Sequence, residues 1–365
     1  MNNHIELIPK NWSYIGDILK DSSYTQAKIL LTYVVTWNVH GSKPTQDEMN
    51  LLLPKDKKYD LYIVNTQECL KGIGASIIGS SPKEDWQKIL VDYFGDDYIN
   101  VAYDSLASFQ LSIFAHKDIY KDITDVKRGT ISTGIMNIVP NKGAIGISFS
   151  YKSKSFIFIN SHLCSGQDKS IDRNKDFERI NNGLEMKPYV KDNKTLSIGK
   201  PEITAVSNMT ITDKYDIAIW SGDFNYRINL GKSQVFDAID NQDFEELREY
   251  DQFNVEVNFG RLNFNNFDEG IIYFNPTYKL KIKNDSKGKE EYDDTRIPGW
   301  CDRIIYKTKD LSDLLLCKYD IIQGTKSSDH KPVYAVFKIE INTPENVQTT
   351  ILAKKNEKTA ACYIF

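Results

Sequence analysis

Six segments of this 365-residue chain end an apolar run in polar residues able to do chemistry. They are Val34–Gly41, Asn65–Glu68, Asn160–Leu163, Trp220–Arg227, Trp300–Arg303 and Ser327–Val333. Asn38 and Glu68 offer hard oxygens of the kind that hold Mg²⁺, which keeps several waters and takes one or two carboxylates besides substrate phosphate. Asp223, with Asn225 two residues on, could deprotonate and orient a water. His162 and His330 could donate hydrogen bonds to phosphoryl oxygens, and an aspartate beside one of them would fix its tautomer and favour its charged form. The chemistry is metal-assisted hydrolysis of a phosphoester.

Each residue alone has a plainer reading: a turn asparagine, a solvated carboxylate, a hydrogen-bonded histidine. Their common place is what counts. All six segments follow strand-like runs, and the carboxyl ends of strands are where α/β folds gather ligand-binding loops. The expected strands are Leu31–Trp37, Leu61–Thr66, Ser112–His116, Ala144–Tyr151, Phe156–Ser161, Ile217–Ser221, Arg303–Tyr306 and Val333–Ile339, rich in Val, Ile, Tyr and Phe. Helical patterns lie between them at Lys83–Phe94, Ile171–Tyr189, Ser233–Asp240 and Gln242–Tyr250. Strands spread end to end among helices predict one mixed α/β domain with two packed β-sheets and helices outside. That domain spans residues 30–341, after an extension at 1–29 packing on it and before a polar tail at 342–365. Lys281–Arg296 reads as an exposed loop.

Composition narrows the class. Basic and acidic side chains number 46 and 50, a formal charge of −4, with 26% charged and 41% apolar residues. That is ordinary for a soluble globular protein and excludes a disordered chain or a fibre. It gives no global field for nucleic acid, so no nucleic-acid partner is expected, and a monomer is. The five cysteines are scattered, with no C-x-x-C pair, which fits neither a disulfide framework nor a zinc knuckle. With no secretory signal visible, a cytoplasmic location is expected.

The segments together resemble the endonuclease/exonuclease/phosphatase superfamily and, within it, the inositol polyphosphate 5-phosphatases. The narrower resemblance rests on Trp-x-Gly-Asp-x-Asn-Tyr-Arg at 220–227, Pro-Thr-Tyr-Lys at 276–279, Pro-Gly-Trp-Cys-Asp-Arg at 298–303 and Ser-Asp-His-Lys-Pro-Val at 328–333; Asn-Lys-Gly at 141–143 and Arg-Asn at 173–174 also match. It implies a DNase I-like four-layer α/β sandwich. Asn38 and Glu68 would hold Mg²⁺, and His162 would contact the scissile phosphate. Asp223 would be the base for the attacking water and Asn225 its orienter. His330 would pair with Asp302 and stabilise the phosphoryl group, and Asp329 would support the metal side. Tyr278, Lys279 and Arg303 would clamp the neighbouring 4-phosphate, Arg227 would join the substrate contacts, and Asn141 and Lys142 would approach the 1-phosphate side. Vicinal phosphates demand several cations, and arginine meets phosphate with two donors at once.

The chain departs from the family pattern at His40, where a second asparagine is common, and at Ala144, where the family has glycine. Neither change removes a catalytic group. The last four residues, Cys362-Tyr363-Ile364-Phe365, read as a prenylation box after a segment with three lysines and one glutamate. That predicts a place on the cytosolic face of membranes. The apolar residues Ile77, Ile78 and Val139 are expected to touch acyl chains of a phosphoinositide. Two rivals remain open: a nuclease or sphingomyelinase of the same superfamily, and a module that holds phosphoinositides without cleaving them.

Overall fold

Runs of β-branched and aromatic residues pair here into two mixed sheets, as a chain with apolar strand faces on both sides requires. The computed structural model describes residues 28–69, 82–134, 141–189, 209–262, 267–282 and 291–341, and Leu30–Glu340 form one compact unit. The strands in chain order are β1 (Lys28–Asn38), β2 (Leu61–Gln67), β3 (Tyr98–Leu106), β4 (Phe109–His116), β5 (Ile123–Ser132), β6 (Gly143–Tyr151) and β7 (Lys154–His162). There follow β8 (Lys187–Pro188), β9 (Ile217–Asp223), β10 (Asp268–Glu269), β11 (Asp302–Thr308), β12 (Leu314–Ile321) and β13 (Val333–Ile341). One sheet has the order β12-β13-β1-β2-β4-β3 and the other β10-β11-β9-β7-β6-β5-β8.

Each sheet is built round one parallel pair, β1 with β2 and β7 with β9, and both pairs are wholly or nearly buried. Register then brings the functional ends together. Asn38 lies opposite Gln67 in one sheet, while His162 lies opposite Asp223 and Asp223 opposite Asp302 in the other.

Period-two alternation sorts side chains between two environments. Tyr33, Val35 and Trp37 of β1, with Tyr62 and Val64 of β2, pack with Leu90 and Phe94 of the helix Pro82–Phe94. Ile157 and Ile159 of β7, with Ala218 and Trp220 of β9, pack with Phe177 and Ile180 of the helix Ser170–Gly183. The alternate positions face the opposite sheet. There Gln67 Nε2 donates to Asn160 Oδ1 at 2.8 Å, and Asn160 Nδ2 donates to Gln110 O at 2.7 Å and Thr66 O at 3.2 Å. Buried amides with few alternative partners pin the two sheets in one relative position.

The eight expected strands are all present, each extended by one to four residues. The expected helix at 242–250 is present as Phe244–Glu249, and a second helix, Gln252–Asn258, follows it unexpected; Asp243 and Asp251 cap the two, each side chain accepting the backbone N–H three residues on. The helix expected to reach Tyr189 ends at Gly183, and Lys187–Pro188 pairs with β5. Strands β3, β5 and β12 were not expected. They are mostly half-exposed, so polar residues interrupt their apolar alternation. Both ends of the expected loop at 281–296 are tied down, since Lys281 N donates to Glu291 O at 2.8 Å.

Replacing Asn160 with Leu removes one of the two acceptors of Gln67 Nε2, which keeps Thr36 Oγ1, and the amide donor to Gln110 O and Thr66 O, which should cost about 1–3 kcal/mol of unfolding free energy. Urea denaturation measures it; a loss under about 0.5 kcal/mol would remove the seam from the account of stability.

Candidate active site

Asp223 is the point at which both sheets meet. It ends β9, buried, and Asn38 of the other sheet donates Nδ2–H to its Oδ2 at 3.0 Å. Its Oδ1 accepts the backbone N–H of Asn225 at 3.0 Å, and His162 Nε2 lies 3.3 Å from Oδ2. Burial opposes the charge on Asp223, but the His162 hydrogen bond and the charges of His162, His330 and Lys142 outweigh it and hold the carboxyl well below the usual range. Gly222 makes the approach feasible: at φ 145°, any Cβ there would lie 2.0 Å from Ser161 O on the neighbouring strand. Asn225 adopts φ 59°, a left-handed conformation that asparagine tolerates, and its Nδ2 donates to Leu163 O at 3.1 Å.

A second hydrogen-bonded chain faces the first. His330 Nδ1 lies 2.8 Å from Asp302 Oδ2, which also accepts Thr277 Oγ1–H at 2.7 Å. Burial raises the proton affinity of Asp302, against the charge and hydrogen bond of His330 and the Thr277 hydroxyl, which favour the anion. Burial disfavours the His330 charge, yet Asp302 more than compensates and raises the imidazole to about 9. The Tyr278 ring packs 4.4 Å from the imidazole, centroid to centroid. The segment before β13 is placed by Glu48, whose Oε1 accepts the backbone N–H groups of Lys326 and Ser327 at 2.8 and 2.9 Å. Ser328 Oγ then donates to Asn38 O at 2.6 Å and accepts His330 N–H at 3.1 Å.

His162 has the opposite character to His330. Burial and the neighbouring Lys142 charge lower its affinity for a proton, against the pull of Asp223. Lys142 Nζ contacts His162 Nε2, and its own proton affinity falls through burial. Two histidines whose proton affinities are shifted in opposite directions therefore flank one anionic aspartate.

The donor set fits a hard divalent cation. Among the described residues Asn38 Oδ1 accepts only the His40 N–H, at 3.0 Å, and Glu68 presents a partly exposed carboxylate. Asp329 Oδ1 is buried and accepts no hydrogen bond among the described residues. Asn38 and Glu68, supported by Asp329, would hold the metal; Asp223, Asp302 and His330, whose ligand atoms lie within 4.8 Å of one another, are already joined in hydrogen bonding.

The structure corrects the expectation for Arg303. It is fully buried and donates Nη1–H to Asp251 Oδ2 at 2.6 Å and Nη2–H to Glu269 Oε2 at 2.7 Å. Asp302 faces the opposite sheet, so the next residue along β11 must face the helices, with Phe253 under its guanidinium at 4.3 Å. Arg303 anchors the cap of Gln252–Asn258 and clamps no substrate phosphate. Arg227 is partly committed as well: it donates Nη2–H to Asn225 Oδ1 at 2.6 Å and Nε–H to Asn225 O at 3.1 Å, and stacks on Tyr278 at 4.5 Å. Lys279 pairs with Asp293 at 2.8 Å at the surface. Asn141 and Lys142 line a cavity of about 800 Å³ with Cys164, Asp176 and Arg179. Ile77, Ile78, Val139 and Cys362 lie outside the described residues.

Sequence reasoning missed Thr277, Glu48 and Asp176. Asp176 Oδ2 accepts the Cys164 N–H at 2.9 Å just beyond His162, and burial pushes its carboxyl up to about 6. Only the spacing of Thr277 within Pro-Thr-Tyr-Lys carried a signal; the other two act through backbone amides that no side-chain motif records.

The model of Endonuclease/Exonuclease/phosphatase family 2 matches residues 35–336. The chain belongs to this family. It is 31% identical over 328 residues to phosphatidylinositol polyphosphate 5-phosphatase type IV of Rattus norvegicus, an alignment covering 87% of this chain and 47% of that protein. It is 30% identical over 328 residues to the type II inositol 1,4,5-trisphosphate 5-phosphatase of Mus musculus, covering 89% of this chain and 31% of the relative. The chain thus spans about half or less of the length of these curated relatives. Among solved structures, the inositol polyphosphate 5-phosphatase domain of SPsynaptojanin, in complex with inositol (1,4)-bisphosphate and calcium ion, superposes with a TM-score of 0.71 at 26% identity, covering 96% of this chain and 97% of that one. Two mixed sheets flanked by helices are the architecture that the resemblance implied.

The upward shift of His330 from 6.5 to about 9 has a definite sign. Its stabilising pair with Asp302 is fully present below about pH 6.5 and is lost as pH rises through about 9. NMR titration should find the imidazole midpoint high in the native chain and near 6.5 in Asp302→Asn. A native midpoint at or below 6.5 would overturn the pairing.

Proposed function

We propose that this chain is a phosphoric monoester hydrolase that removes the 5-phosphate from an inositol phosphate or phosphoinositide, such as Ins(1,4,5)P₃, PtdIns(4,5)P₂ or PtdIns(3,4,5)P₃, with Mg²⁺ as its cofactor. The observation that carries the reading is Asp223, an anionic carboxylate held by Asn38, Asn225 and His162 across from the His330–Asp302 pair. Such a carboxylate orients a water and takes up its proton as the P–O bond to the leaving group breaks. The charged His330, its Nδ1 engaged by Asp302, has Nε2–H to donate to a phosphoryl oxygen, and Lys142 adds charge on the other side. Bound at Asn38 and Glu68, the cation would neutralise phosphate charge and polarise the scissile bond.

Direct attack by water fits the thiols as well. Burial pushes the thiols of Cys69, Cys164, Cys301 and Cys317 up, so among the described residues no thiolate stands ready to form a covalent intermediate. Similarity to named 5-phosphatases supports the substrate class, and the type IV and type II relatives between them span lipid and soluble substrates.

Phosphate release from Ins(1,4,5)P₃ and from vesicles containing PtdIns(4,5)P₂ should require a divalent cation and stop in EDTA. Asp223→Asn should lower turnover by on the order of a thousandfold while the chain stays folded by circular dichroism. Near-normal turnover in that variant would remove the assigned role.

The same reading extends to a cytosolic membrane face reached through a lipidated Cys362, with Ile77, Ile78 and Val139 against acyl chains. Replacing Ile77 and Ile78 with Ser should then lower turnover of vesicle-borne lipid relative to the soluble phosphate. An unchanged ratio would dismiss the acyl contact.

A further inference from the structure

The helix Ser170–Gly183 turns Phe177 and Ile180 to the core round Trp220. Its other face, at three- and four-residue spacing, brings Asp172, Lys175, Asp176 and Arg179 to the cavity of about 800 Å³ that Asn141 and Lys142 also line. Lys142 Nζ contacts His162 Nε2, so this space opens beside the candidate active site. Among the described residues no large apolar side chain lines it, and a ligand that enters can keep its charge.

The balance of charge in the cavity is positive. Asp172 is already paired with Lys169, at 3.0 Å. Asp176 is buried and its Oδ2 takes the Cys164 N–H at 2.9 Å. Burial raises its carboxyl to about 6, and an anion entering beside it would favour the neutral form further. Lys175 makes no ion pair among the described residues, and it stands four residues from Arg179 on one helix face. Like charges at that spacing repel, a cost that an anion between them would remove. Arg179 Nε donates to Ser132 O at 3.1 Å, which orients the guanidinium, while its two terminal nitrogens meet no acceptor among the described residues. A guanidinium held in this way is a fork preset for phosphate oxygens.

We infer that the cavity takes the 1-phosphate of the substrate and that Arg179, with Lys175, is a specificity-determining residue for it. The inference rests on the function proposed above and deepens it. Asn141 and Lys142 were expected on this side from their motif. The two helix cations belong to no substrate motif and reach the cavity through tertiary packing alone. The group they recognise is a ring phosphate, free as a monoester in an inositol phosphate or carried as a diester in a phosphoinositide.

Initial rates of the full chain with Mg²⁺ are compared for Ins(1,4,5)P₃ and for Ins(4,5)P₂, which differs only in lacking the 1-phosphate. Arg179→Ala should lower the ratio of their kcat/KM values about tenfold, through KM for Ins(1,4,5)P₃ rather than kcat. Arg179→Lys keeps a point charge and should recover part of that ratio. A merely structural role would move both substrates alike, so an unchanged ratio in Arg179→Ala would overturn the inference. PtdIns(4,5)P₂ in vesicles carries the same phosphate as a diester. A parallel loss there assigns the cavity to both sources, and a loss confined to Ins(1,4,5)P₃ assigns it to free inositol phosphates. Calorimetric binding of Ins(1,4)P₂ and Ins(4)P separates this inference from the function. A native chain that releases no phosphate fails that function. Ins(1,4)P₂ binding about tenfold tighter than Ins(4)P, a margin lost in Arg179→Ala, would still uphold the cavity, and equal binding would overturn it.

Discussion

The hydrogen bond from Asn38 Nδ2 to Asp223 Oδ2 joins the carboxyl end of β1 in one sheet to the carboxyl end of β9 in the other. It binds the residue assigned to hold the metal to the residue assigned to hold the water. Both side chains are about 1% exposed, so neither can exchange this bond for one with solvent. The distance survives only if the two sheets keep one register and one spacing. Gln67 and Asn160, a short way below, supply that constraint with a second amide pair across the same gap. The core on each outer face, Phe177 on Trp220 and Leu90 with Tyr62, clamps the sheets from outside without contributing a reactive group.

Charge in the site is distributed rather than concentrated. Two carboxyl groups, Asp223 and Asp302, alternate with two imidazoles whose proton affinities are shifted in opposite directions, and Lys142 stands beside the one shifted down. Burial opposes the charge of each group, and at Asp223 and His330 partners of opposite sign within hydrogen-bonding reach outweigh it. A pocket of local positive potential can therefore exist in a chain whose formal charge is −4. Arg303 shows the same principle turned to structure. Its two carboxylates, Asp251 and Glu269, neutralise it on the helix side of the sheet and stitch a helix cap to β10 and β11.

Membership of the family and the architecture rest on agreement between a match over residues 35–336 and a superposition covering nearly the whole chain. The site adds what overall similarity does not carry. His40 is a local feature of the strand end, held by the same backbone bonds that present Asn38 and Glu68.

Much of this was legible in the residues alone. Apolar runs long enough to be buried on both faces marked β1, β2, β7 and β9, and the polar residues at their ends marked the site, since strand termini are determined by local pattern. The pairing of Asp302 with His330 came from the family resemblance, and the structure places the two 2.8 Å apart. Edge strands such as β5 and β12 were not legible, for their exposed faces break the alternation that signals a strand. Nor was the fate of Arg303. The sequence by itself determined which residues are reactive and roughly where each strand stops. Tertiary structure alone decided which face of β11 meets the other sheet, and hence that Asp302 enters the site while its neighbour is turned away. The reason is that strand alternation fixes only relative sides; choosing the side requires the partner sheet and helices that the rest of the chain provides.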